Sequence, residues 1–113
     1  GLDAAADWLV DNGYTEGYAT FWNGNAMTEL TNGKLDVWTL QSLDEDYVPN
    51  WLQRKDHLTT DPQHPFLLID TETDGPAESA GLVQNGECTE VYNDGRFVIY
   101  DFAGADAVHA AAK

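Results

Sequence analysis

The chain is short of the residues that most sharply announce a function. A single cysteine, Cys88, stands in 113 residues, which excludes an internal disulfide framework and any cysteine-based zinc knuckle. Five Lys and Arg face 20 Asp and Glu, a formal charge of −15. Phosphate is bound by clustered Lys and Arg, so nucleic acid is excluded as a partner, and anionic lipid headgroups are repelled for the same reason. No apolar run approaches the roughly 20 residues that span a bilayer. A basic-then-apolar signal region is absent, and the start Gly1-Leu2-Asp3 leads us to expect a segment excised from a longer chain. GxSxG, a Gly-rich phosphate loop and HExxH are all missing. No autonomous enzyme, cofactor or metal is expected on these grounds.

What is present is enough for one folded domain. The composition is 42% hydrophobic and 12% aromatic in 12.5 kDa, and a chain of this size buries roughly two thirds of its unfolded surface. No internal repeat and no Pro/Gly/Ser-rich linker divides it. Asp3 is a suitable N-cap for a helix over Ala4–Asp11 that gathers Leu2, Trp8 and Leu9, with Gly13 as the stop. Gly17–Phe21 reads as a strand leading into the corner Trp22-Asn23-Gly24-Asn25, whose amides can cap a helix over Ala26–Thr31 that Asn32-Gly33 ends. Lys34–Leu40 alternates as a strand. A helix carrying Val48, Trp51 and Leu52 follows Asp44–Asp46, and Asp61-Pro62 and His64-Pro65 mark a loop. Phe66–Ile69 is a continuous apolar run, as in a strand covered on both faces. Asp74-Gly75-Pro76 opens a helix over Ala77–Val83. Cys88–Tyr92 and Arg96–Phe102 flank Asn93-Asp94-Gly95 as a hairpin.

Helices alternating with strands, closed by a hairpin, predict an α/β fold. The expected form is a small layered sandwich, with helices packed on a central mixed sheet. Residues 1–102 make up the domain, and 103–113 form an Ala-rich tail, helical or frayed.

The candidate binding residues lie where the first strand meets its helix. In α/β sheets the carboxyl end of a strand before a helix N-terminus is the favoured ligand position. There Trp22, Asn23, Asn25 and Glu29 offer an indole, two amides and a carboxylate. Aromatic faces stack on the C–H surface of sugar rings, and amides and carboxylates bind sugar hydroxyls. The same residues equally suit a core tryptophan and two helix caps. Trp51 and Arg54 form a second candidate pair. A guanidinium can clamp a carboxylate or phosphate, or it can offset Asp56 or cap a helix. Asp70–Gly75 starts like a calcium loop, but the final ligand position falls on Gly81. His57 and His64, with Asp56 and Asp61, match no zinc spacing. Cys88 lacks a nearby base and reads as structural.

The run Asn12–Lys34, with Gly17-Tyr18-Ala19-Thr20-Phe21-Trp22-Asn23-Gly24-Asn25 at its centre, is followed near the end by Tyr92-Asn93-Asp94-Gly95-Arg96-Phe97-Val98-Ile99-Tyr100. In this order the pieces resemble the soluble C-terminal domain of bacterial multi-pass membrane proteins of the glycosyltransferase type, the lipid-sugar-dependent class. The resemblance spans most of Leu2–Phe102, and it departs from the family pattern at Gly24 and Met27. It implies an extracytoplasmic, non-catalytic accessory domain at the cell membrane. The transmembrane portion of its own parent chain would be its partner, and it could contact a glycan acceptor. An acidic structural or protein-interaction module is the alternative, and a small hydrolase with paired carboxylates is a third reading.

Overall fold

Residues 1–40 and 64–102 are described by the structure, a computed structural model. Helix α1 spans Leu2–Asp11. Its apolar residues recur at helical spacing, so Ala5, Ala6 and Leu9 are buried along one side. Asp3 is not the N-cap. Gly1 holds that position, and Asp3 lies exposed in the first turn, where a carboxylate still favours the positive end of the helix dipole. Gly13, in the left-handed region at φ 83°, lets the chain reverse.

Strand β1 (Glu16–Thr20) runs straight into helix α2 (Phe21–Leu30). Asn32 and Gly33, at φ 53° and 82°, end α2 as their residue types require. The Gly33 N–H reaches back to the Thr28 carbonyl at 2.9 Å. Strand β2 (Asp36–Leu40) follows, and β3 (Phe66–Asp70) is buried at every residue. The helix expected over 77–83 is split. Ala77–Ser79 is one 3₁₀ turn and Gly81–Asn85 is the short helix α3, with Ala80 extended between them. Strands β4 (Cys88–Asn93) and β5 (Phe97–Phe102) form the expected hairpin. Its turn is tied by side chains: Asn93 Oδ1 accepts from the Gly95 N–H at 2.9 Å, and Asp94 Oδ1 accepts from the N–H groups of Arg96 and Phe97 at 3.0 and 2.8 Å. The helix expected around Trp51 and the tail 103–113 lie outside the described residues.

The five strands form one mixed sheet in the order β2-β1-β3-β5-β4. β1 is parallel to both β2 and β3, and β5 is antiparallel to β3 and to β4. The α/β class is thus observed, with α1 and α2 covering one face. There Leu9 and Met27 pack with Ala19, Val37, Phe66, Leu68 and Ile99. The other face gathers Tyr18, Trp38, Leu67, Ile69 and Val98 under Ala77, Ala80 and Leu82. Each fully buried Leu contributes about 1.5–3 kcal/mol, and Leu9→Ala would open a cavity costing about 2–5 kcal/mol. Among the described residues no helix is long and apolar enough to cross a membrane.

Candidate functional site

The carboxyl ends of β1 and β3 meet where the sheet connections diverge to either side of β1, the position at which open α/β sheets hold ligands. The corner there has no loop. Thr20 is both the last residue of β1 and the N-cap of α2, so Asn23 and Asn25 are helical residues and not caps. The glycine between them explains the tight seat. A Cβ on Gly24 would stand 2.9 Å from Thr39 Cγ2 and 3.3 Å from Val37 Cγ1. The bare backbone therefore lets α2 settle on β2.

Asp70, the last residue of β3, is 1% exposed and organises this end. Arg96 grips it with both prongs, Nε to Oδ1 at 3.0 Å and Nη2 to Oδ2 at 2.9 Å. The Glu72 N–H donates to Oδ1 at 3.0 Å, and the Asn23 side chain donates to the same carboxylate. The Arg96 bonds hold the Asp70 carboxyl below the usual carboxylate range against its burial, helped by the Glu72 N–H and Asn23. Asp74 ties the loop down, accepting from the Asp70 N–H at 3.0 Å and from the Thr20 hydroxyl at 3.0 Å. Arg96 also pairs with the exposed Glu72 at 2.8 Å and lies 4.9 Å from the centre of the Phe97 ring.

Of the expected binding residues, Asn23 joins this network. Asn25 and Glu29 are exposed one helical turn apart. The Trp22 side chain, Trp51 and Arg54 lie outside the described residues. The calcium-like opening at Asp70 is instead one half of an ion pair. No group of three or more His, Cys, Asp or Glu is placed to hold a metal among the described residues. Cys88 is half-buried, 3.9 Å from the Val83 carbonyl, with its thiol pushed up by burial, which fits an unreactive structural thiol.

Sequence reasoning missed Thr20, Asp74 and Arg96. The available signal was that Arg96 is the other of two arginines and directly follows the hairpin turn. It also missed Tyr14 and Asp101, which with His64 form a second polar group at the opposite end of the sheet.

No protein-family model, no curated protein and no solved structure matches this chain.

Proposed function

We propose that the chain is a non-catalytic accessory domain of a multi-pass membrane protein of the glycosyltransferase type, standing on the extracytoplasmic face of the cell membrane. Its partner in this reading is the transmembrane portion of the same parent chain, and its ligand is a glycan acceptor. The order of motifs from Asn12 to Tyr100 suggests the parent. The non-catalytic part rests on one observation, the saturation of Asp70. A carboxylate offers about four acceptor positions. Two bonds from Arg96, one from the Glu72 N–H and one from Asn23 occupy them. The acid best placed for chemistry at the favoured end of the sheet is thus committed to holding the fold.

The test is the coding sequence flanking this segment, with protease accessibility of the segment in intact cells. Several apolar stretches of spanning length, and cleavage from outside the cytoplasmic membrane, are the expected results. A cytoplasmic, protease-protected segment would overturn the reading.

A second reading, an acidic interaction module, is favoured by α1. Asp3, Asp7 and Asp11 are exposed at four-residue spacing and so line one side of that helix. Association with a basic partner peptide that weakens steeply between low and high salt would support it, and salt-independent association would exclude steering by charge.

A further inference from the structure

The end of the sheet opposite Asp70 carries a cleft of ≈ 400 Å³ lined by Asn12, Gly13, Tyr14, Thr15, His64 and Asp101. This lies within the range of ~300–1,000 Å³ typical of small-ligand sites. α1 and its Gly13 reversal deliver Asn12–Thr15. β5 delivers Asp101, which stands opposite Phe66 at the start of β3, two residues after His64. Tyr14 donates its hydroxyl to Asp101. His64 Nε2 lies 3.0 and 3.1 Å from the two Asp101 oxygens. A carboxylate only accepts, so Nε2 carries a proton, and Nδ1 is left to meet a ligand. Asn12 donates through Nδ2 to the Trp8 carbonyl at 2.8 Å, leaving its Oδ1 as an acceptor.

Tyr14 brings an aromatic ring into this polar floor, and other rings pack around it outside the lining. Trp8 lies 5.9 Å from Tyr14 with the planes inclined by 27°, and Tyr92 lies 5.6 Å from Trp8. The His64 ring meets Tyr14 edge-on at 5.9 Å. Trp8, Tyr14 and Tyr92 are all half-buried. They keep some ring surface in reach of solvent while their positions are fixed by packing.

We propose that this cleft is a binding site for a neutral saccharide. The ligand has to offer O–H donors to Asn12 and Asp101, a hydroxyl that can donate to or accept from His64 Nδ1, and an apolar C–H face to the Tyr14 ring. A sugar ring combines the two. An anion is disfavoured by the Asp101 carboxylate and by the net charge of −15. A simple organic cation would meet the same Asp101 carboxylate without using the hydroxyl-binding groups beside it, and the tetramethylammonium arm below separates it from a sugar. The inference rests on the proposed accessory role for the glycan as physiological ligand, and it moves the contact from the α2 corner to the other end of the sheet.

The experiment is titration of the full chain with neutral disaccharides (cellobiose, maltose, lactose and N,N′-diacetylchitobiose), followed by amide NMR shifts and tryptophan fluorescence. Tetramethylammonium chloride is a separate arm. We expect at least one disaccharide to shift the amides of residues 12–15, 64 and 101 and to perturb Trp8. His64→Ala, at an exposed position, should weaken that binding by roughly three- to tenfold, the value of one hydrogen bond. Thr15→Ala serves as a second variant if the first alters the fold. Shifts confined to Asn25–Glu29, equal binding of tetramethylammonium, or no response to any sugar would each overturn the proposal. A sugar-binding cleft on a chain with no membrane-spanning neighbour would overturn the accessory role and leave this inference standing. A membrane-linked chain with a silent cleft would do the reverse.

Discussion

Asp70 and Asp101 lie at opposite ends of the same antiparallel strand pair, β3 with β5, and each accepts from a nitrogen-bearing side chain. Asp70 is 1% exposed and gripped in two places by Arg96, whereas the Asp101 side chain is 27% exposed and shared between a phenol and an imidazole. Burial decides what each can do. At Asp70 desolvation has to be offset by bonds within the protein, so every acceptor position is filled and the residue becomes a structural pin. At Asp101 water still reaches the carboxylate, so its acceptor positions need not all be filled from within the protein. A buried, saturated acid and an open, shared one are chemically the same group put to opposite uses.

The sharpest way to break this contrast is to remove Arg96. Arg96→Met strands a buried carboxylate, and a clear fall in melting temperature is expected. Asp70→Ala, which leaves Arg96 facing solvent and Glu72, should cost only about 1–3 kcal/mol. Thermal unfolding of the two variants checks the ranking. Equal losses would show that the Asp70 charge is not the costly partner. The second test strikes the open end. A Cβ at Gly17 would lie 2.3–2.5 Å from the Phe66 ring, whose edge packs against Tyr14 at 6.1 Å. Gly17→Ala should destabilise by about 1–3 kcal/mol through overpacking. Amide shifts should spread through Tyr14 and Asp101 while the Asp70 end stays unchanged.

Smaller effects separate the ends by pH. The Asp70 carboxyl is lowered in the folded state, so its stabilisation is present above the ordinary carboxylate pKa. It is lost as pH falls through the lower, folded value. Tyr14 behaves in the opposite sense. Burial, then its bond to Asp101 and the charge of that group, push the phenol up to about 12 from 10.0. Its contribution is complete below pH 10 and is lost as pH rises toward 12. Tyr14→Phe should cost about 0.5–1.5 kcal/mol at neutral pH and flatten the alkaline limb of the stability curve without moving the acid limb. Urea midpoints across the pH range measure both. The smallest effect expected is at Cys88, whose thiol should react slowly with a disulfide reagent at neutral pH until the chain is unfolded.

Much of the scaffold was readable because its signals are local. The apolar run Phe66–Ile69, the turn residues Asn93-Asp94-Gly95 and the stops at Gly13 and Asn32-Gly33 each act within a few residues, and each fell where expected. The misplaced boundaries arose where tertiary contacts outweigh local preference. Asn23 and Asn25 are good caps by type, but Gly24 packing against Val37 and Thr39 seats a helix that begins five residues earlier, at Phe21. Asp3 lost the cap to Gly1 because α1 extends to gain the contact of Leu2 with the core. The site was harder still. Arg96 and Asp70 are 26 residues apart, and Tyr14 and Asp101 are 87 apart. The antiparallel register of β3 and β5 unites the first pair, and the parallel pairing of β1 with β3 adds Tyr14, just before β1, to Asp101; no spacing rule along the chain encodes those registers.

The junction at Thr20 and Phe21 has one more consequence. Insertions and deletions are tolerated where a connection has spare residues on the surface, and this connection has none. One added residue would turn α2 by about 100° on its axis, take Gly24 off β2 and carry Asn23 away from Asp70. Lineages of this domain should therefore diversify in length at the hairpin turn and around Gly75, and hold the β1–α2 step to a fixed count.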